Sequence, residues 1–395
     1  MNTPAPSTPT SLRSLLTGQA IARLVVGWGA FAALLALGPA LKPPVDGPLL
    51  IVALLAIVAV ILYCAFGVVH EAEALAKRLG DPYGSLVLTL SIVIIEVVLI
   101  AAVMLGPGEH ANIARDSVMA VSMIILNLVI GLSLLLGGLR HRGMRANRAG
   151  ISTYLSLLVI LCVVAFALPA LLGRDGAYTP AQEIPAVMLT LGLYIVFLGR
   201  QMGPRVNDFR EVSPSKTAGA AQATKTLTQP GGVGQRTLKQ TLALHGREIT
   251  GRLVLLVATV LPIVLLSHDM AALLDDALGR VGAPTALAGL LIAMIVFLPE
   301  SITSVRAALS GEIQRVSNLC HGALVSTVGL TIPAVLVIGL LTGQTVILAE
   351  STVNLVLLGA SLLLSALSFF ARRITPWHGA AHLALFAAYV VALFS

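Results

Sequence analysis

The chain has 395 residues, of which 57% are hydrophobic and 11% charged, with a net charge of +7 and a mean hydropathy of +0.94. Soluble domains carry about 25% charged residues, so a water-soluble protein is excluded. The sequence also lacks the alternating-polarity strands of an outer-membrane barrel. An all-α polytopic membrane protein remains.

A membrane-spanning helix needs about 20 mostly apolar residues. Eleven such spans are predicted, near 21–41, 48–69, 83–105, 117–139, 150–172, 184–203, 251–268, 283–304, 316–341, 344–370 and 374–394. Residues 1–20 are Pro/Ser/Thr-rich and are expected to form a disordered tail, without the layout of a signal peptide. Residues 204–250 are polar, rich in Gly, Pro and Thr, and are expected to form a flexible linker. Cys64, Cys162 and Cys320 all fall in predicted spans without metal-ligand spacing, and read as small buried residues.

The basic residues sort by side. Lys42, Arg115, Arg174 and Arg280 fall on one face, and the other 21 of the 25 Lys and Arg on the opposite face or in the linker. The positive-inside rule then places the N-terminus and linker in the cytoplasm and the C-terminus outside. This distribution gives the positive charge a membrane explanation, and no nucleic-acid partner is expected. On the outer side Asp46, Glu109, Asp116, Asp175, Glu183, Asp269, Asp275, Asp276 and Glu350 leave a negative face. Such a field concentrates cations, although acids also simply fill a face where bases are disfavoured.

The linker separates spans 2–6 (48–203) from spans 7–11 (251–394), with span 1 (21–41) extra. The two halves match faintly. Span 2 ends VVHEAEALAKRLGDPYGSL, and span 7 ends LSHDMAALLDDALGRVGAPTAL. His70 and Glu71 correspond to His268 and Asp269, and Pro82 to Pro284. The following span then carries one carboxylate in each half, Glu96 and Glu300. Five spans is an odd number, so the second copy is inverted. Inverted repeats are typical of secondary transporters, with the ion site at the repeat interface near the midplane.

Glu96 lies in SIVIIEVVLIAAVM, with no base within a helical turn. It is about 20 Å into its span at 1.5 Å per residue. An intramembrane acid points to function by default, and a hydrogen-bonded structural carboxylate is the other reading. Glu300 follows Pro299 in IVFLPES. Proline cannot donate to the carbonyl of Ile295, and a freed carbonyl at membrane depth is tolerated where protein or a wet cavity lines it. Carboxylates and carbonyls are the hard oxygen donors that Ca²⁺ takes in sets of six to eight. Candidate supporting oxygens are Thr89, Ser91, the Ile295 carbonyl, Ser301, Thr303, Ser304, Asn127 and Ser326. Facing carboxylates in a low dielectric also hold protons more readily than in water. Proton and cation therefore compete for one site.

His321 is a candidate proton relay or a satisfied core histidine. His70, Glu71 and Glu73, at the cytoplasmic end of span 2, are candidates for an ion or proton path, a solvated helix end being simpler. Asp116, on the outer side, is another candidate for such a path.

The blocks HEAEALAKRLGDPYGSLVLTLSIVIIEV, RDSVMAVSMIILNLVIGLSLLLGG and LPESITSVRAALSGEIQRVSNLCHGALVSTVGLTIPAVLVIGLLTGQ resemble the bacterial calcium/proton antiporters of the cation/calcium exchanger superfamily. The resemblance implies an inverted five-plus-five fold with a peripheral first span, and Glu96 and Glu300 as paired cation and proton sites. It also implies an inner-membrane protein that exports Ca²⁺ against H⁺ by alternating access. Some members of this branch are described as moving Na⁺ or K⁺ against H⁺. The chain departs from the superfamily pattern Gly-Asn-x-x-Glu. The corresponding residues are Ile92-Val93-Ile94-Ile95-Glu96 and Val296-Phe297-Leu298-Pro299-Glu300.

The expected partners are thus Ca²⁺ and H⁺, with Na⁺ or K⁺ as the alternative, and the lipid bilayer. Ca²⁺ is cargo, and no cofactor is expected. A secondary transporter is expected rather than an enzyme. Two carboxylates could serve as acid and base, but the spans hold neither HExxH nor GxSxG. A channel would need a subunit ring or filter loop, and no such loop is apparent.

Overall fold

The computed structural model describes residues 16–42, 44–79, 111–141, 143–203, 205–209, 238–284 and 286–394, with scattered positions from 90 to 104. Its helices are α1 (Gly18–Leu37), α2 (Gly47–Leu79), α3 (Ile113–Met123), α4 (Ile130–Arg140), α5 (Arg148–Cys162), α6 (Leu168–Leu172), α7 (Pro180–Met202), α8 (Leu238–Arg280), α9 (Ala286–Leu309), α10 (Ile313–Ser326), α11 (Ile332–Thr342), α12 (Thr352–Phe370) and α13 (Pro376–Ala392). Three spans pass through a π-helical stretch. Ile124–Val129 joins α3 to α4, Val163–Ala167 joins α5 to α6, and Thr327–Thr331 joins α10 to α11.

Among the described residues, eight helical spans are long and apolar enough to cross a membrane, and nine if the bent α9 is one. Of the other two predicted spans, 374–394 corresponds to the 17-residue α13. The span at 83–105 lies mostly outside the described residues, with helical backbone at Leu90, Val93, Ile94, Glu96, Val97, Ile100, Ala101 and Met104. The protein is an all-α polytopic membrane protein.

Two spans run longer than their apolar cores. α2 extends to Leu79. α8 begins at Leu238, inside the stretch read as flexible linker, and has 43 residues, about 65 Å at 1.5 Å per residue. The extra turns are polar, so hydropathy does not register them, and α2 and α8 pack on each other.

The buried apolar residues form two clusters. One, including Ile61, Cys64, Leu75, Ile263 and Leu266, joins α2 to α8, with Phe31 and Leu34 of α1 against it. The larger one unites α3 to α7 with α9 to α13. α9 stands between them. Its Ile292 and Ile295 pack on the first cluster, and its Leu290 and Phe297 belong to the second.

Backbone contacts tie each rim of the bundle. At the linker end, Met144 pairs with Ile374 and the carbonyl of Leu309 lies 2.8 Å from His141 Nε2. At the far end, Ile347 N donates to Ala111 O at 2.9 Å, and Leu348 N and Ala349 N donate to Gly176 O at 3.0 and 2.9 Å. Arg280 of α8 donates to Val45 O, and Val45 N donates to Asp276 Oδ2 at 2.9 Å.

Small residues let membrane helices approach closely. A Cβ on Gly379 of α13 would strike Leu135 N and Gly131 O, both backbone atoms of α4. Backbone cannot rotate aside as a side chain can, and overpacking of this kind costs about 1–3 kcal/mol. Gly379→Ala is therefore expected to lower the thermal transition of the detergent-solubilised protein by several degrees. Fluorescence-detected size-exclusion chromatography after heating checks it.

Candidate functional site

Glu96 is 5% exposed. Its Oε2 accepts a hydrogen bond of 2.7 Å from Thr327 Oγ1. Its Oε1 is buried and accepts none among the described residues. Thr327 opens the π-helical stretch Thr327–Thr331. One residue more per turn re-aims side chains, and such stretches recur at functional sites. Glu96 opens onto a small pocket of about 20 Å³, room for about one water, that it shares with Ser117 and Val121 of α3 and Ile292 and Phe297 of α9. Phe297 is one turn before Glu300, so the Glu96 carboxylate faces the helix that carries Glu300.

α9 bends by 60° between Leu287–Ile295 and Glu300–Leu309. The bend falls where the sequence places Pro299, which removes an amide donor from the helical ladder. Glu300 follows it, and its Oε2 is buried without a hydrogen-bond partner among the described residues. α9 packs on α3, α4 and the π-helical stretch Ile124–Val129. Each acid-bearing segment thus meets a π-helical stretch of another span.

Most other candidate oxygens are engaged away from the two carboxylates. Ser301 donates to Phe297 O at 2.7 Å. Ser304 lies 3.2 Å from Ser133 Oγ and 3.3 Å from Cys320 Sγ. Ser326 donates to Gly322 O at 2.9 Å and reaches Tyr194 Oη at 3.4 Å. Asn127 donates to Ser361 Oγ at 2.7 Å, and its Oδ1 lies 3.3 Å from His382 Nδ1. Ile295 packs on the α1/α2/α8 cluster, and Thr303 is partly buried. Thr89 and Ser91 lie outside the described residues.

His321 is fully buried. Its Nδ1 lies 2.9 Å from Ser317 Oγ, its ring stacks on Tyr154, and its Nε2 has no partner among the described residues. His70 is exposed and Glu73 partly so. Glu71 departs from the expected solvated helix end. It is 6% exposed, and Arg252 Nη1 of α8 reaches its Oε2 at 2.7 Å. Arg252 Nε also donates to Glu248 Oε1 at 3.2 Å. Asp116 Oδ1 accepts from Arg115 Nε at 2.8 Å.

Neither Thr327 as the partner of Glu96 nor His382 as the partner of Asn127 was legible in the sequence. For His382, a lone histidine in the apolar run HLALF was the only signal.

The model of the family "Sodium/calcium exchanger protein" matches residues 49–203 and 252–395. The chain belongs to this exchanger family. It is 31% identical over 343 residues to the "Sodium-potassium/proton antiporter ChaA" of Escherichia coli (strain K12), covering 85% of this chain and 87% of that one. It is 33% identical over 329 residues to the "Putative ionic transporter y4hA" of Sinorhizobium fredii (strain NBRC 101917 / NGR234), covering 82% and 84%. Among solved structures, the exchanger fold superposes on the H⁺/Ca²⁺ exchanger CAX with a TM-score of 0.66 at 14% identity, covering 94% of this chain and 87% of that one. It superposes on native YfkE with a TM-score of 0.64 at 15% identity, covering 95% and 99%. An exchanger of this family is a secondary transporter of ions.

Proposed function

We propose that the protein is an inner-membrane cation/proton antiporter in which Glu96 and Glu300 bind the cation and the proton in turn, and that its cation is Ca²⁺. The observation that carries this reading is the pair of buried carboxylate oxygens without hydrogen-bond partners, Glu96 Oε1 and Glu300 Oε2. A buried polar atom left unpaired costs about 1–3 kcal/mol, more if charged. A proton or a cation on each carboxylate removes that cost. Among the described residues no group of three or more His, Cys, Asp and Glu could hold a metal ion. A bound Ca²⁺ would complete its shell from hydroxyls, carbonyls and water, the Thr327 hydroxyl first among them.

The runner-up cargo is Na⁺ or K⁺, which needs fewer ligand charges. The similarity to an antiporter named for sodium and potassium supports it. Inverted vesicles with an acid interior and a pH-sensitive dye separate the two. Dissipation of the proton gradient by added Ca²⁺ is expected. A response to Na⁺ or K⁺ alone transfers the reading to a monovalent cation, and no response to any cation in folded protein overturns it.

Thr327→Val tests the hydroxyl. A hydrogen bond to a charged group contributes about 1.5–3 kcal/mol, so the variant is expected to raise the cation concentration for half-maximal flux about tenfold. An unchanged concentration dependence would leave Thr327 with a packing role alone.

A further inference from the structure

At the rim opposite the linker, the loop before α12 carries Glu350. Its side chain is 3% exposed. Its Oε2 accepts from Ser351 N at 3.0 Å and from Asn354 Nδ2 at 2.8 Å. Its Oε1 is buried and accepts no hydrogen bond among the described residues. Arg115 Nε lies 3.9 Å from that oxygen, beyond hydrogen-bond length, and is turned instead to Asp116 Oδ1 at 2.8 Å. Arg115 Nη1 donates to Ala349 O at 3.2 Å. Tyr389 of α13, itself 2% exposed, lies within electrostatic reach of both acids. Two acids thus share one arginine, and the more buried acid keeps an open oxygen. The next residue after Asp116, Ser117, lines the pocket of Glu96.

We propose that Glu350 and Asp116 form a second cation site at the far-rim mouth of the route to Glu96, where a hard-oxygen-seeking metal cation docks on Glu350 Oε1 in place of the Arg115 guanidinium. The site is distinct from the Glu96/Glu300 pair. It rests on the antiporter reading only for the direction of ion travel. The cation need not shed all its water there, because Asp116 is 30% exposed. Arg115 acts as a built-in substitute cation that keeps the two carboxylates together while the site is empty. Burial raises the proton affinity of the Glu350 carboxyl, which Asn354 and Arg115 partly offset and Asp116 reinforces. Protons therefore compete with the cation here too.

Tb³⁺, a hard cation whose emission is sensitised by nearby tyrosine, reads this site through Tyr389. The measurement uses the full chain in detergent with Glu96→Gln and Glu300→Gln in place, so that the carboxylate pair does not contribute. Sensitised emission is expected to persist in that background and to be displaced by Ca²⁺. Glu350→Gln should reduce it at least fivefold and Tyr389→Phe should reduce it comparably. Arg115→Met should tighten the apparent Kd about tenfold by removing the competing charge. Size-exclusion profiles identify misfolded variants, and Glu350→Asp, which keeps the charge, should retain emission. Emission lost with Glu96→Gln and Glu300→Gln alone, or unaffected by Glu350→Gln, would overturn the second site. Because this is a binding measurement, it stands or falls apart from the flux assay of the antiporter reading.

Discussion

Glu96→Gln and Glu300→Gln are each expected to reduce cation-driven proton flux at least about a hundredfold, two tenfold steps of about 1.4 kcal/mol each. Gln has the shape of a protonated Glu and cannot become an anion. In Glu96→Gln the amide oxygen still accepts from Thr327 Oγ1, so the local hydrogen bond survives while the exchangeable charge is lost. In Glu300→Gln the bend of α9 is unaffected, because it arises in the backbone before residue 300. Both variants should fold and melt no lower than the wild type, since each removes an ionisable group whose charge is costly in a membrane. The pairing of intact folding with lost flux separates a transport role from a structural one. Wild-type flux in either folded variant would remove that carboxylate from the exchange site.

The second large effect is expected at Arg252. This arginine bridges Glu71 of α2 and Glu248 of α8, whose side chains are 8% and 2% exposed. Removing one partner of a fully buried ion pair costs about 3–5 kcal/mol, because the remaining charge has no compensation. The Arg252 side chain is 19% exposed, so water screens part of this and about 2–3 kcal/mol is the fitting expectation. Arg252→Met should lower the thermal transition in detergent by several degrees. The triple variant Glu71→Gln, Glu248→Gln, Arg252→Met should recover most of the loss, since neither acid then carries a buried charge. A single variant that melts with the wild type would mean that water already reaches the two acids. The bridge joins the two longest helices of the α1/α2/α8 cluster at their linker end, so its loss should also loosen α2 from α8 there.

The sequence by itself determined the class of the protein. Apolar runs of span length are a local property, and they survive any arrangement of neighbours. The isolation of Glu96 in SIVIIEVVLI and the proline before Glu300 were equally local, so both acids could be singled out from short windows. The tertiary structure decided the partners. Thr327 meets Glu96 and Arg252 meets Glu71 across separations of 231 and 181 residues, and no periodicity in either segment records them. The polar extension of α8 read as linker because hydropathy measures preference for lipid. It is nevertheless helical from Leu238 onward. The π-helical stretches escaped for the same reason. One extra residue in a turn changes no composition, and it is held only by the helices packed against it.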